Sequence, residues 1–341
     1  MINYQKYSDE FNESLDVNGE YLIGLNFSRF PSQILFDMDE LAYNEQLTEY
    51  VNQKKAEYKE TVYQYFPAPI AYFLYQTEHS FDNEIHRLHL LRSTWESVIY
   101  ILYALILGKV NSKSFSLVNI RIFGNKRIRV DHSGLLNNRL GYNIELMRRI
   151  IEYDQQNNNE LFASSIMHID IFDVLDELNQ ERNSFSHIAA LSSQEARTRF
   201  DELNPRLLDL LFELDFLENV YVLRFVNNLG NVANVRFNRF NGHSLQRQNY
   251  DKNFTTAEIT PLLPILSDQY ILFELNNTIM NCSPFIHFAF EGAHLKLCYF
   301  KGIDTSTGDF LFEQIGGTNR NVTIAATSIS SCIHTSLGRL I

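Results

Sequence analysis

The 341-residue sequence predicts an α+β protein: a central α-helical bundle, a C-terminal antiparallel β domain and a small N-terminal α/β segment. Three observations lead there. Between 64 and 218, apolar residues recur at steps of three and four, the period of one helix face. From Val220 onward the apolar runs are short, rich in aromatic and β-branched residues, and often alternate. Before 64, two short apolar runs precede a charged helical stretch. The expected divisions are therefore 1–63, 64–218 and 219–341.

In chain order, EYLIGLNF (Glu20–Phe27) and SQILFDM (Ser32–Met38) read as strands on either side of Pro31. Asp39–Tyr63 reads as a charged helix. Beyond Pro67 and Pro69, a long helix carries one stripe of Leu88, Leu91, Trp95, Val98, Leu102 and Leu105, with Gly108 as its expected end. Residues 109–140 read as loop or short strand. A helix around Ile144–Tyr153 follows, and then the polar run QQNNN. The next helix starts near Ile166 and groups Ile171, Leu175, Leu178 and Phe185 on one face. Ser192 with Glu195 is a capping box, and Asn204-Pro205 is expected to break that helix and start another. The strands expected after it are VYVLRFV, VANVRFNRF, QYILFEL, FIHFAF, HLKLCYF and FLFEQI. Turns are expected at Asn228–Gly230 and Thr305–Gly308.

A net charge of −12 excludes a general nucleic-acid coat protein, which would be basic all over. It leaves room for one local basic cleft. The three cysteines (Cys282, Cys298 and Cys332) form no CxxC pair, against a disulfide framework or a four-cysteine zinc site. The start MINYQKYSDEFNES lacks a secretory pattern, and the longest apolar run, Val98–Leu107, is half the length of a membrane span. The expectation is a soluble cytoplasmic chain that keeps clear of membranes.

The chemistry concentrates in NQERNSFSH, residues 179–187. Arginine and histidine separated by four to six residues occur three times: Arg182–His187, Arg127–His132 and Arg236–His243. With ten histidines in the chain, such spacings arise by chance, so context must separate them. Only Arg182–His187 belongs to a long amphipathic helix of a bundle, and only there does a small amide, Asn183, follow the arginine. On a straight helix Asn183 and His187 stack on the exposed face, whereas Arg182 falls within the apolar arc. A joint site then needs reach from the arginine, a bend or a second chain.

Arg182-Asn183-x-x-x-His187 resembles the R-x4–6-H motif of the HEPN superfamily, helical domains of bacterial toxin and defence ribonucleases. LHLLRSTWESVIYILYALILG is similar to the long helix that precedes the motif helix in some members. The resemblance covers about residues 64–218. It implies a homodimer in which two motifs face one cleft. It also implies metal-independent cleavage of RNA, with the 2′-hydroxyl attacking the adjacent phosphorus to leave a 2′,3′-cyclic phosphate. His187 would then be the acid/base, because a histidine titrates near neutral pH. Arg182 would stabilise the growing phosphate charge, and Asn183 would orient His187 or bind the phosphate. Anti-phage or related defence is the implied setting, with a regulatory partner protein or ligand.

Other features carry plainer alternatives. Arg182 can pair with Glu177 or Glu181 at the edge of the core. Arg121, Lys126, Arg127 and Arg129 form a basic stretch that can guide RNA to the cleft, or simply a basic hairpin on an acidic protein. His86 and His89, with Glu84, have metal-ligand spacing but no third ligand, so neither metal nor cofactor is expected. Phe285, Phe288, Phe290, Tyr299 and Phe300 offer either a platform for bases or a core. The competing functional reading is a catalytically silent HEPN-like interaction module, or a nucleotide or nucleic-acid sensor subunit.

Overall fold

The computed structural model describes residues 5–18, 31–122, 128–136, 139–157, 167–184, 191–292, 294–316 and 321–329. It contains both helices and antiparallel sheets. Helices α1 (Gln5–Asn18), α2 (Pro31–Met38) and α3 (Glu40–Tyr65) open the chain. The strand expected at Ser32–Met38 is thus helix α2. Pro31 suits a first helical position, and the adjacent residues Ile34 and Leu35 are both buried while Phe36 is exposed. That is a helical face, not a two-residue alternation. Glu20–Phe27, the other expected strand, lies outside the described residues. Phe11 packs against Tyr43 and Tyr50 at ring distances of 5.6 and 5.4 Å, which ties α1 to the first half of α3.

Helices α4 (Ala68–His79) and α5 (Glu84–Ser112) pack side by side. α5 is the one described helix long and apolar enough to cross a membrane, and most of its apolar stretch is buried inside the protein. Its leucine and isoleucine surface forms the centre of the core. Gly108, expected to end this helix, lies one turn inside it. A Cβ built there would stand 3.1 Å from the Asn281 carbonyl oxygen, 3.2 Å from Met280 Cγ and 3.3 Å from Cys282 Sγ. The missing side chain lets α5 lie directly on a strand.

A short hairpin of β1 (Arg121–Ile122) and β2 (Ile128–Arg129) and the one-turn α6 (His132–Leu135) lead into α7 (Leu140–Asn157). Next come α8 (Ile171–Ser184) and α9 (Ser193–Glu213). The Ser192–Glu195 capping box is formed at the start of α9. Pro205, expected to break α9, sits inside it. Its missing N–H and ring clash cost about 3 kcal/mol. Burial of Leu203, Leu207, Leu208, Leu210 and Leu211 in the same core offsets that at about 2 kcal/mol for each side chain.

The strands of the two larger sheets begin at Tyr221. The first sheet, in the order β5-β4-β3-β6-β7, joins β3 (Tyr221–Asn228), β4 (Asn234–Arg239), β5 (Gln248–Asn253), β6 (Leu272–Leu275) and β7 (Thr278–Asn281). The second has the order β11-β10-β9-β8, from β8 (Ile286–Glu291), β9 (His294–Ile303), β10 (Phe310–Gln314) and β11 (Asn321–Ile324). Every paired neighbour is antiparallel. The turn after β4 clips the first sheet to the α3–α4 junction. Asn241, 1% exposed, donates Nδ2 to the carbonyls of Tyr65 (2.7 Å) and Val220 (2.8 Å). Gly242 follows at φ +83, 3.0 Å from the Gln64 carbonyl when given a Cβ, so only glycine fits without strain. One connected hydrophobic cluster runs from Val62 to Ile329 through helices and both sheets.

Candidate functional site

α8 carries the first two motif residues on its last turn. Ile171, Phe172, Leu175 and Leu178 are buried and fix its inner face. Arg182 follows Leu178 by four residues, so its backbone position continues that inner stripe. Asn183 is the next position round the helix. The helical register can be followed as far as Ser184. The side chains of Arg182 and Asn183 and all of His187 and Phe185 lie outside the described residues. Projecting His187 onto α8 therefore runs past its described end.

The neighbours of α8 are well defined. Arg148 of α7 reaches Asp176 (2.5 Å) and Asp173 (3.1 Å). Burial raises the Asp176 carboxyl above its ordinary value, Arg148 opposes that, and Glu145 and Asp173 add to it. Arg206 of α9 binds Glu177, and Arg199 lies 3.7 Å from Glu181. The two carboxylates considered as partners of Arg182 thus both have arginines from α9. These cross-links fix α8 between its antiparallel neighbours α7 and α9.

The base of the basic hairpin approaches the same place. Arg121 and Arg129 are cross-strand partners at one register position, and Lys126 and Arg127 lie outside the described residues. Just past β2, Asp131 Oδ1 accepts the Gly134 N–H at 2.6 Å. A Cβ on Gly134 would be 2.4 Å from the Tyr142 hydroxyl at the start of α7. Burial and Asp131 push that phenol up to about 12. One residue earlier, a Cβ on Gly141 would be 3.6 Å from Asn179 Nδ2, on α8. The hairpin base and the last turns of α8 therefore both meet the N-terminal end of α7.

The competing pair Arg236–His243 is taken apart by the fold. Arg236 makes two 2.7 Å bonds to Asp251 across the β4–β5 ladder. His243 binds the Tyr63 carbonyl through Nδ1 at 3.1 Å and stacks on Tyr75 at 4.1 Å. In the third pair, Arg127–His132, the arginine and the histidine side chain lie outside the described residues. His86 turns back to Asp82, 3.1 Å away. Among the described residues no three His, Cys, Asp or Glu side chains converge as a metal site. Cys282 and Cys298 are buried, and burial raises both thiols.

The five aromatic residues of the second sheet separate by exposure. Phe285, Tyr299 and Phe300 are core. Phe288 is half-buried, and Phe290 is 61% exposed. Arg224 of β3, unremarked in the sequence, lies 4.6 Å from the Phe288 ring centroid and 6.0 Å from that of Phe290. The available signal was an arginine in the middle of the otherwise apolar strand VYVLRFV. Comparison with protein-family models, curated proteins and solved structures finds no match for this chain.

Proposed function

We propose that the chain is a metal-independent endoribonuclease of HEPN type, acting as a homodimer in the cytoplasm in defence against phage or related elements. One observation carries this reading. The Arg182-Asn183-x-x-x-His187 motif begins on the last turn of an amphipathic helix clamped between α7 and α9. The R-x4–6-H motif of HEPN ribonucleases has that kind of setting. The approach of the basic hairpin to the same end of α7 supports RNA as the substrate. In this reading His187 moves the proton from the 2′-hydroxyl and returns one to the leaving 5′-oxygen. Arg182 holds the phosphate as its charge grows, and Asn183 orients one or the other. A bundle over 64–218, with flanking regions that set its activity, completes the proposal.

The test is RNA cleavage in EDTA by wild type, Arg182→Ala and His187→Ala, each checked for folding and mass. The proposal expects cyclic-phosphate ends from wild type and a loss of at least about a hundredfold in both variants. Equal trace cleavage by all three proteins would mark a contaminant. A folded, dimeric wild type that cuts no RNA would leave a silent interaction module.

A further inference from the structure

Helices α1, α2 and the first half of α3 have a small core of their own. Phe11, Ile34, Leu35 and Val51 are buried there, and none of them belongs to the main hydrophobic cluster. So small a core has every reason to take in the large apolar side chains within reach. Three stay outside, at the corner where α2 meets α3: Phe36 is 42% exposed, Met38 79% and Leu41 71%. Single exposed apolar residues are ordinary, but three within six positions make a patch. Leu41 also begins a stripe. Asn44, Glu45, Thr48, Glu49 and Asn52 follow it at the three- and four-residue steps of one α3 face, and they line an open groove of about 470 Å³. The charge around that face is one-sided. Residues 5–18 and 31–52 hold nine carboxylates and one lysine, Lys6, an excess of eight negative charges out of the protein's net twelve. Further along α3 the lysines are already engaged, Lys54 by Glu57, Lys55 by Asp209 and Lys59 by Glu78. Glu40, Glu45 and Glu49 form no ion pair among the described residues.

We propose that the corner of Phe36, Met38 and Leu41, with the α3 face beyond it, docks a basic amphipathic helix of another protein. The apolar side of that helix meets the three exposed side chains, and its lysines or arginines meet Glu45 and Glu49. Charge complementarity selects this occupant. A second copy of the chain would bring the same excess of carboxylates against the face, and nucleic acid or an anionic bilayer would be repelled by it. The inference stands apart from the ribonuclease reading, because no motif residue takes part.

The probe is a fluorescent synthetic helix of about eighteen residues, leucine on one face and lysine on the other, read by anisotropy against the full chain. A control peptide has the same composition in an order that gives no apolar face. The patterned peptide should bind at least about tenfold more tightly than the control. Met38→Ser with Leu41→Ser should weaken it at least about tenfold. Glu45→Gln with Glu49→Gln should weaken it too and flatten its salt dependence. All four side chains are exposed, so thermal melts of both double variants should match wild type. Absence of peptide binding, equal binding of the two peptides, or unchanged binding in either folded double variant overturns the inference. A lower sedimentation mass for Met38→Ser with Leu41→Ser than for wild type also overturns it, because a second copy would then cover the face. So does flotation of wild type, but not of that variant, with neutral phosphatidylcholine vesicles, which would put a membrane there. RNA cleavage enters none of these measurements, so failure here leaves the ribonuclease reading to its own test.

Discussion

Replacing Gly108 tests whether α5 lies directly on β7. If glycine merely ended the helix, larger residues would change little beyond the local cap. Inside the helix two effects oppose. Alanine gains about 1 kcal/mol of helix propensity over glycine. Against that, its Cβ would enter contacts of 3.1–3.3 Å with the Asn281 carbonyl, Met280 and Cys282. Met280 can yield, but the Asn281 carbonyl belongs to a strand paired with β6 and yields less. Gly108→Ala should therefore stay within about 1 kcal/mol of wild type. Gly108→Val adds two methyl groups on the same side, and overpacking costs about 1–3 kcal/mol. Its β-branch also loses part of the propensity gain. The net expectation is a loss of about 2 kcal/mol, read by urea denaturation followed by far-UV circular dichroism. A Val variant as stable as wild type would refute the close helix–strand contact.

Three more expectations follow from particular groups. On the proposed ribonuclease reading, Arg182→Lys keeps the charge but loses the forked donor, so RNA cleavage should fall about tenfold or more, and full activity would overturn the proposed phosphate-clamping role. His287 is held neutral: burial, and then Arg224, push it down from 6.5 to about 4. The unfolded chain binds the extra proton between those values, so stability is full above about 6.5 and falls by up to about 3 kcal/mol as pH drops through 4. His287→Gln should flatten that slope in denaturation curves taken across the range. Lys252 pairs with Glu274, which is 4% exposed. Lys252→Met would strand a buried carboxylate at a cost of about 3 kcal/mol, whereas Lys252→Met with Glu274→Leu should recover most of it in the same assay.

Much of the fold was legible because period and composition agree. The stripe from Leu88 to Leu105, the capping box at Ser192 and the aromatic strands after Val220 each combine a local signal with burial. The misses have identifiable causes. β5, QNYDKN, is a polar edge strand, so its sequence lacks an apolar alternation. β7 had a signal that went unused. Asn276 and Asn277, at φ 48 and 61, form a two-residue turn of the kind that joins twisted strands. Gly108 and Pro205 were read by their local preferences, and tertiary contacts overrode both. SQILFDM is too short for periodicity to separate strand from helix.

The site was legible only as a choice among arginine–histidine pairs, and the fold shows what a structural pair looks like. Arg236 and His243 have the right spacing, yet each has its own partner: Asp251 takes both arms of the arginine, and Tyr63 and Tyr75 hold the imidazole. Neither is poised toward a common third group. Along α8, which carries Arg182, the carboxylates are met by Arg148, Arg199 and Arg206 from two neighbouring helices. Those bonds position the described turns of α8. On the proposed reading, the supporting arginines hold the helix, and the motif arginine answers the charge that develops on a phosphate. The spacing could not reveal this, because it records distance along the chain and not which neighbours supply the competing charges.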